Sequence, residues 1–176
     1  MLARKTSSIL YCSYMELDEI IYAAITANST LKTICGWKPA EGSKPEVKAR
    51  IYSTCIELPP TEDDNTQLPY IIIMEEPSQN DQGTKDSVWE SDTDIVNVGV
   101  EISAASPYEV KRLRKIVRAA IGSYVESMTE DIPYLRQATR DGIAWDWTKP
   151  CYYDTLHYQA DMKTNLNEEN DGQEEE

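Results

Sequence analysis

His157 is the only imidazole in the chain, so a Ser or Cys nucleophile activated by a neighbouring base would have to use it. The residues around it alternate. Leu156, Tyr158, Ala160 and Met162 share one side, while His157, Gln159, Asp161 and Lys163 share the other, which places the ring on the solvent side of a terminal strand and predicts a structural or surface role. A second set of chemistry-bearing groups is the carboxylate series Glu75, Glu76, Asp81, Asp86, Glu90, Asp92 and Asp94. Such oxygens could hold Mg²⁺ or Ca²⁺, but they lack the alternate-position spacing around a central glycine that an EF-hand loop requires, so a solvated acidic loop is the expectation. Cys12, Cys35, Cys55 and Cys151 form no C-x-x-C pair, and a single His cannot complete a zinc shell. Gly83, Gly99 and Gly122 stand alone, so no phosphate-cradling or dinucleotide loop can be drawn. These residues predict no catalytic site, no cofactor and no metal, and therefore not an enzyme.

The elements that would carry these groups are those of an α+β fold: a mainly antiparallel sheet of about four to five strands packed against an N-terminal helix and one long amphipathic helix. Ser13-Tyr14-Met15-Glu16 has capping-box chemistry and predicts a helix start, followed by Leu17, Ile20, Ile21 and Ala24 on one face. Ser29 predicts the cap of a short second helix through Leu31 and Ile34, with Gly36 as its stop. Val47 to Thr54 has strand composition, and Glu57 to Gln67, with Pro59-Pro60, predicts a loop. Tyr70 to Met74 predicts an inner strand, and Glu75 to Thr93 a long polar loop. From Val96 to Ser103 the alternation is that of a half-buried antiparallel strand.

Ser106-Pro107-Tyr108-Glu109 is the strongest helix start in the chain. Val110, Leu113, Ile116, Val117, Ala120, Ile121 and Tyr124 then form an apolar arc that must cover a sheet. Opposite lie Lys111, Arg112, Arg114, Lys115 and Arg118, five of the 17 cations within eight residues. Three accounts of that face stay open: a solvated helix face whose stems cover apolar edges, electrostatic docking against acidic surface on a neighbouring copy, and contact with DNA passing through a channel. Further on, Ile132-Pro133-Tyr134 and Asp141-Gly142 punctuate an irregular region, Ile143 to Trp147 predicts a strand, and Leu156 to Met162 predicts the last strand.

Charge and composition narrow the classes. The net charge of −14 opposes generic nucleic-acid wrapping over most of the surface. Residues 167–176 hold six acids and no base, a composition that predicts disorder. The expected organisation is an N-terminal extension over 1–13, one domain over 14–163 and an acidic tail over 164–176. No secretory signal and no apolar run long enough to span a bilayer is present, which predicts a cytoplasmic protein with reduced thiols and no membrane partner. With 11 Tyr, 4 Trp and no Phe, the core and any interface must use aromatic rings carrying a polar handle.

The layout resembles the tail terminator or tail completion (head–tail joining) proteins of long-tailed bacteriophages. The residues that carry the likeness are the helix Leu17 to Ala24, Arg50-Ile51-Tyr52, the strand opening Leu68-Pro69-Tyr70-Ile71-Ile72, the alternating Val96 to Ile102, the helix Val110 to Ile121, and a closing strand near Leu156 to Met162. The likeness covers residues 14–163 in element order; the long 55–67 and 75–94 loops, the first 13 residues and the Glu-rich tail lie outside the pattern. It implies a small non-catalytic virion protein that forms a ring with itself, commonly of six copies, at the end of the tail tube. There it would contact the tube protein and the head–tail connector, with DNA at most passing through, first in the host cytoplasm and then in the virion tail or neck. The candidate subunit interface pairs Lys111, Arg112, Arg114, Lys115 and Arg118 with Glu75, Glu76, Asp81, Asp86 and Glu90. The competing reading is a non-viral intracellular module that recognises a basic protein partner through its acidic loop and tail.

Overall fold

The computed structural model describes residues 16–54, 67–80, 93–128 and 135–163. Three helices and six strands follow in the order α1 (Leu17–Ala27), α2 (Ser29–Ile34), β1 (Ile51–Ser53), β2 (Tyr70–Asn80), β3 (Thr93–Ala104), α3 (Pro107–Ser127), β4 (Arg136–Arg140), β5 (Ala144–Asp146) and β6 (Cys151–Lys163). The strands form one sheet in the order β1-β2-β3-β6-β4, with β5 also on β6. All pairs are antiparallel except β1 with β2. The α+β architecture expected from the sequence is the one observed.

Register decides which residues meet. Ile71 faces Ile102, and Val100 in turn faces Leu156, so Ile71 and Ile73, Val98, Val100 and Ile102, and Leu156, Tyr158 and Ala160 share one face of the sheet. That face is roofed by Leu17, Ile21, Ala24 and Ile25 of α1 and by Val110, Leu113, Val117, Ala120 and Ile121 of α3, and together they make the core. The apolar arc read from α3 is therefore the surface that packs on the sheet. Ser106 caps this helix by accepting from the Glu109 N–H at 3.2 Å, and Pro107 opens it.

Several boundaries differ from expectation. α1 begins at Leu17 with Glu16 as its cap, and Glu16 and Glu19 form a reciprocal capping box in which two carboxylates serve where Ser13 and Glu16 were expected. Ser13 lies outside the described residues. Asn28 caps α2 in place of Ser29, accepting from Leu31 N at 3.0 Å. The strand expected from Val47 shrinks to Ile51–Ser53, because Val47 bridges instead to Lys38. β2 runs past Met74 to Asn80, so Glu75 and Glu76 are strand residues and not loop residues. A polar strand end is tolerated there because one face of the sheet is wet. Arg136–Arg140, expected as irregular, forms β4 on the edge of β6.

Asp141-Gly142 is the break that separates β4 from β5 along that same edge. Gly142 has φ +87, the left-handed region that glycine enters without steric cost. Gly36, with φ +89, ends α2 in the same way and lets the Arg50 guanidinium lie where a side chain would stand. Arg50 uses that room to donate to Pro69 O at 3.0 Å and to Gln67 Oε1 at 3.2 Å, fixing the chain at the start of β2.

Candidate functional site

The two faces of the sheet carry different chemistry, and both converge on the β4–β5 break. On the face away from the helices, His157 lies on β6 opposite Gly99 of β3. The absent side chain at Gly99 leaves space for Glu76, whose carboxylate crosses from β2 over β3 to reach the ring. Glu76 Oε1 is 2.7 Å from His157 Nδ1, and Asp141 Oδ1 is 2.9 Å from Nε2. Both contacts are hydrogen bonds at once only in the imidazolium, where both nitrogens carry protons. Burial lowers the His157 pKa, but the hydrogen bonds and charges of Asp141 and Glu76 outweigh it and the net shift is upward. With both nitrogens engaged by carboxylates, the ring ties Glu76 of β2 to Asp141 at the β4–β5 break, and neither nitrogen faces a Ser or Cys among the described residues.

A parallel row runs one step along the same face. Arg136 binds Gln159 Oε1, Gln159 Nε2 donates to Asn97 Oδ1 at 3.1 Å, and Asn97 Nδ2 donates to Pro77 O at 3.0 Å. Four strands are thus cross-braced by side chains. The sequence placed His157 on a terminal strand. In the structure β6 is interior, flanked by β3 on one side and by β4 and β5 on the other, so the ring sits mid-sheet.

On the helix face, Asp154 is fully buried and accepts from Arg114 Nη1 at 2.7 Å and from Gly142 N at 3.0 Å. Arg114 was expected on the exposed basic arc. It is instead mostly buried, with 15% side-chain exposure, because its guanidinium turns under α3 to neutralise Asp154. Asp141 and Gly142 therefore link the two faces: Asp141 binds His157 on one, and the next N–H binds Asp154 on the other.

The remaining cations behave as the sequence predicts. Lys111, Arg112, Lys115 and Arg118 are exposed. Their face borders a groove of about 520 Å³ between α1 and α3, lined by Ala24, Ala27, Ile116, Ala119 and Tyr124, with Lys115 on its rim. Of the expected acidic partners, Glu75 and Glu76 lie on β2, where Glu76 is committed to His157; Asp81, Asp86 and Glu90 fall outside the described residues. Glu76 therefore meets His157 and not a cation of this arc.

Two thiols are described, Cys35 and Cys151, both buried and free. Burial pushes Cys35 up to about 11, with Arg50 opposing it weakly, and burial likewise raises Cys151. Among the described residues no His/Cys/Asp/Glu cluster could hold a metal ion, and no helix is long and apolar enough to cross a membrane.

By fold and site the protein is an α+β module with a braced polar sheet face and an exposed basic helix face. Compared with known proteins, the chain matches no protein-family model and no curated sequence.

Proposed function

We propose that this chain is a structural virion protein, a tail terminator or head–tail joining component that assembles with copies of itself into a ring at the end of the tail tube and acts through contacts rather than catalysis. The observation that supports the reading is the element order. The helix over Leu17–Ala27, the short strand at Ile51, the strand opened by Leu68-Pro69-Tyr70, the alternating strand, α3 and the closing β6 occur in the sequence of the family it resembles, and here they fold as one sheet with all helices on one side. Such a layer leaves two broad surfaces for neighbours: the polar sheet face and the outer face of α3.

The subunit contact is assigned to the exposed cations Lys111, Arg112, Lys115 and Arg118, without Arg114, whose charge is consumed by Asp154. Complementary charge sets register between copies more readily than it sets affinity. The test adds purified protein to polymerising tube protein of the same virus and follows tube length by negative-stain microscopy. Rings at tube ends and arrested growth are expected. Reversal of Lys111, Lys115 and Arg118 to Glu should leave a folded monomer that neither forms rings nor arrests growth. A wild-type protein that stays monomeric and never localises to tube ends would refute the reading.

A further inference from the structure

Trp147, in the turn between β5 and β6, is the most exposed large apolar side chain described, at 89%. Its backbone is pinned. Asp146 Oδ1 accepts from Thr148 N at 2.8 Å, from Thr148 Oγ1 at 2.7 Å and from Lys149 N at 3.2 Å. The Trp147 ring stands edge-on to Trp145 with centroids 6.1 Å apart, Trp145 stands edge-on to Tyr152 at 4.7 Å, and Tyr152 packs against the core. A row of rings therefore runs from the core out to Trp147. A side chain held in this way loses little freedom when a partner covers it, and Trp is the residue type most enriched among interface anchors.

The same chain carries a recess suited to it. The groove of about 520 Å³ between α1 and α3 is lined by the small side chains Ala24, Ala27, Ala119 and Ala120, with Tyr124 and Lys115 beside them. The small side chains make room, Tyr124 offers a ring for edge-to-face packing, and Lys115 offers a cation for the face of an indole. That last contact already occurs within the chain, where Lys32 Nζ lies 5.0 Å from the centre of the Trp37 ring. Arg112 precedes Lys115 by one turn on the same side. Such a groove selects an aromatic side chain with an acid next to it. Asp146 adjoins Trp147, and the bonds from Thr148 hold its carboxyl below the ordinary range and so keep it charged.

We infer that Trp147 of one copy seats in the α1–α3 groove of a second copy, with Asp146 set against Lys115 and Arg112. The inference rests on the self-assembly proposed above and names its contact: the indole supplies affinity while the cations set register.

Within one chain the two parts cannot meet. Trp145 pairs with Tyr152 and Tyr152 with Ala104, so β5 lies at the end of the sheet from which α3 starts. Ala119 is about 18 Å further along α3 from Pro107. The groove also opens on the α1 side of α3, over strands β1 to β3, whereas β5 lies beyond β6. Knob and recess thus occupy different ends and different sides. A contact between unlike patches is head-to-tail, the kind that closes into a ring where the rotation permits. The indole supplies about a quarter of the roughly 800 Å² that each partner buries in a stable contact, and the exposed face of α3 beside the groove offers surface for the rest.

Sedimentation velocity of the full-length protein over a concentration series tests the contact. Trp147→Ser should weaken self-association at least about 30-fold, the equivalent of about 2 kcal/mol that marks an anchor residue. The double change Ala27→Gln with Ala119→Gln, at two exposed positions, fills the groove and should weaken it to a similar extent. Mixed together, the two variants should regain one contact, the intact Trp147 of one in the open groove of the other, and give 1:1 pairs that grow no further. Either variant associating as wild type does, a mixture that forms no pairs, or a wild type that stays monomeric would overturn the inference. So would a Trp147→Ser protein that self-associates normally and fails only to arrest tube growth, because the ring would then dock on the tube protein. Pairing of the two variants alongside a wild type that never caps tubes would count against the virion reading alone.

Discussion

Replacing Arg114 by Met removes the only cation paired with Asp154 among the described residues and keeps a side chain of similar length over the sheet. Asp154 is left fully buried with one remaining donor among the described residues, Gly142 N at 3.0 Å. Breaking a buried pair by deleting one partner costs about 3–5 kcal/mol, because an uncompensated charge stays in the interior. The lower end applies here, since Arg114 retains 15% exposure and water can follow its path inward. A loss of about 3 kcal/mol is a large share of the roughly 5–15 kcal/mol that stabilises a domain. With a urea slope of about 2 kcal/mol/M, the midpoint should fall by about 1.5 M. Asp154→Asn should cost less, because the amide oxygen still accepts from Gly142 and the guanidinium can turn to solvent. The double variant should cost less than the sum of the singles, by a coupling of about 1–3 kcal/mol. Urea titrations followed by far-ultraviolet circular dichroism measure all three. A loss below about 1 kcal/mol for Arg114→Met, the range of exposed pairs, would refute the idea that Arg114 is a structural cation and return it to the docking face.

Other outcomes follow from particular contacts. The His157 pKa is raised in the folded protein, so its bridge to Glu76 and Asp141 contributes fully below about pH 6.5 and is lost as pH rises through the folded value. The half-exposed partners limit the effect to about 1 kcal/mol or less, and His157→Gln should flatten the difference in melting temperature between pH 5.5 and 8.5. Gly99→Ala puts a methyl where the Glu76 carboxylate passes; it should abolish the same pH dependence while costing about 1 kcal/mol, read by the same melts. Cys35, pushed up to about 11 by burial, and buried Cys151 should react with an aromatic disulfide at pH 8 far more slowly in the native protein than in urea, as mapped by mass spectrometry. Truncation after Leu166 should leave the melting temperature within about 2 °C of the full chain, since residues 167–176 hold six acids and no apolar side chain to bury.

Local signals carried most of the architecture. Ser106-Pro107 and the arc from Val110 to Tyr124 made α3 legible, and strict alternation did the same for β3 and β6, because each pattern directly encodes a buried face. β4 was illegible: Arg136-Gln-Ala-Thr-Arg has no apolar alternation, and it is a strand only because β6 offers it an edge. β2 beyond Met74 was missed for a related reason, since Glu75 and Glu76 read as loop until a wet sheet face is known to exist. The site was less legible still. His157 lies 81 residues from Glu76 and 16 from Asp141, and only sheet register brings them together. Arg114 could not be separated from its four neighbouring cations by spacing, because what distinguishes it is a carboxylate 40 residues away.

The position of β6 bears on how the chain is made. It is the last described strand to be synthesised, yet it fills the slot between β3 and the β4–β5 edge. From the moment β3 emerges, several seconds of translation at about 5–20 residues per second pass before its partner exists. Throughout that interval the outer rim of β3 presents unpaired backbone groups beside Val98, Val100 and Ile102. A nascent chain in this state is a template for any free β6, and in a crowded cell the nearest one belongs to another ribosome on the same message. The order of synthesis thus leaves strand exchange between siblings as the misfolding route to expect, and a slow stretch of codons before Cys151 would lengthen the window for it.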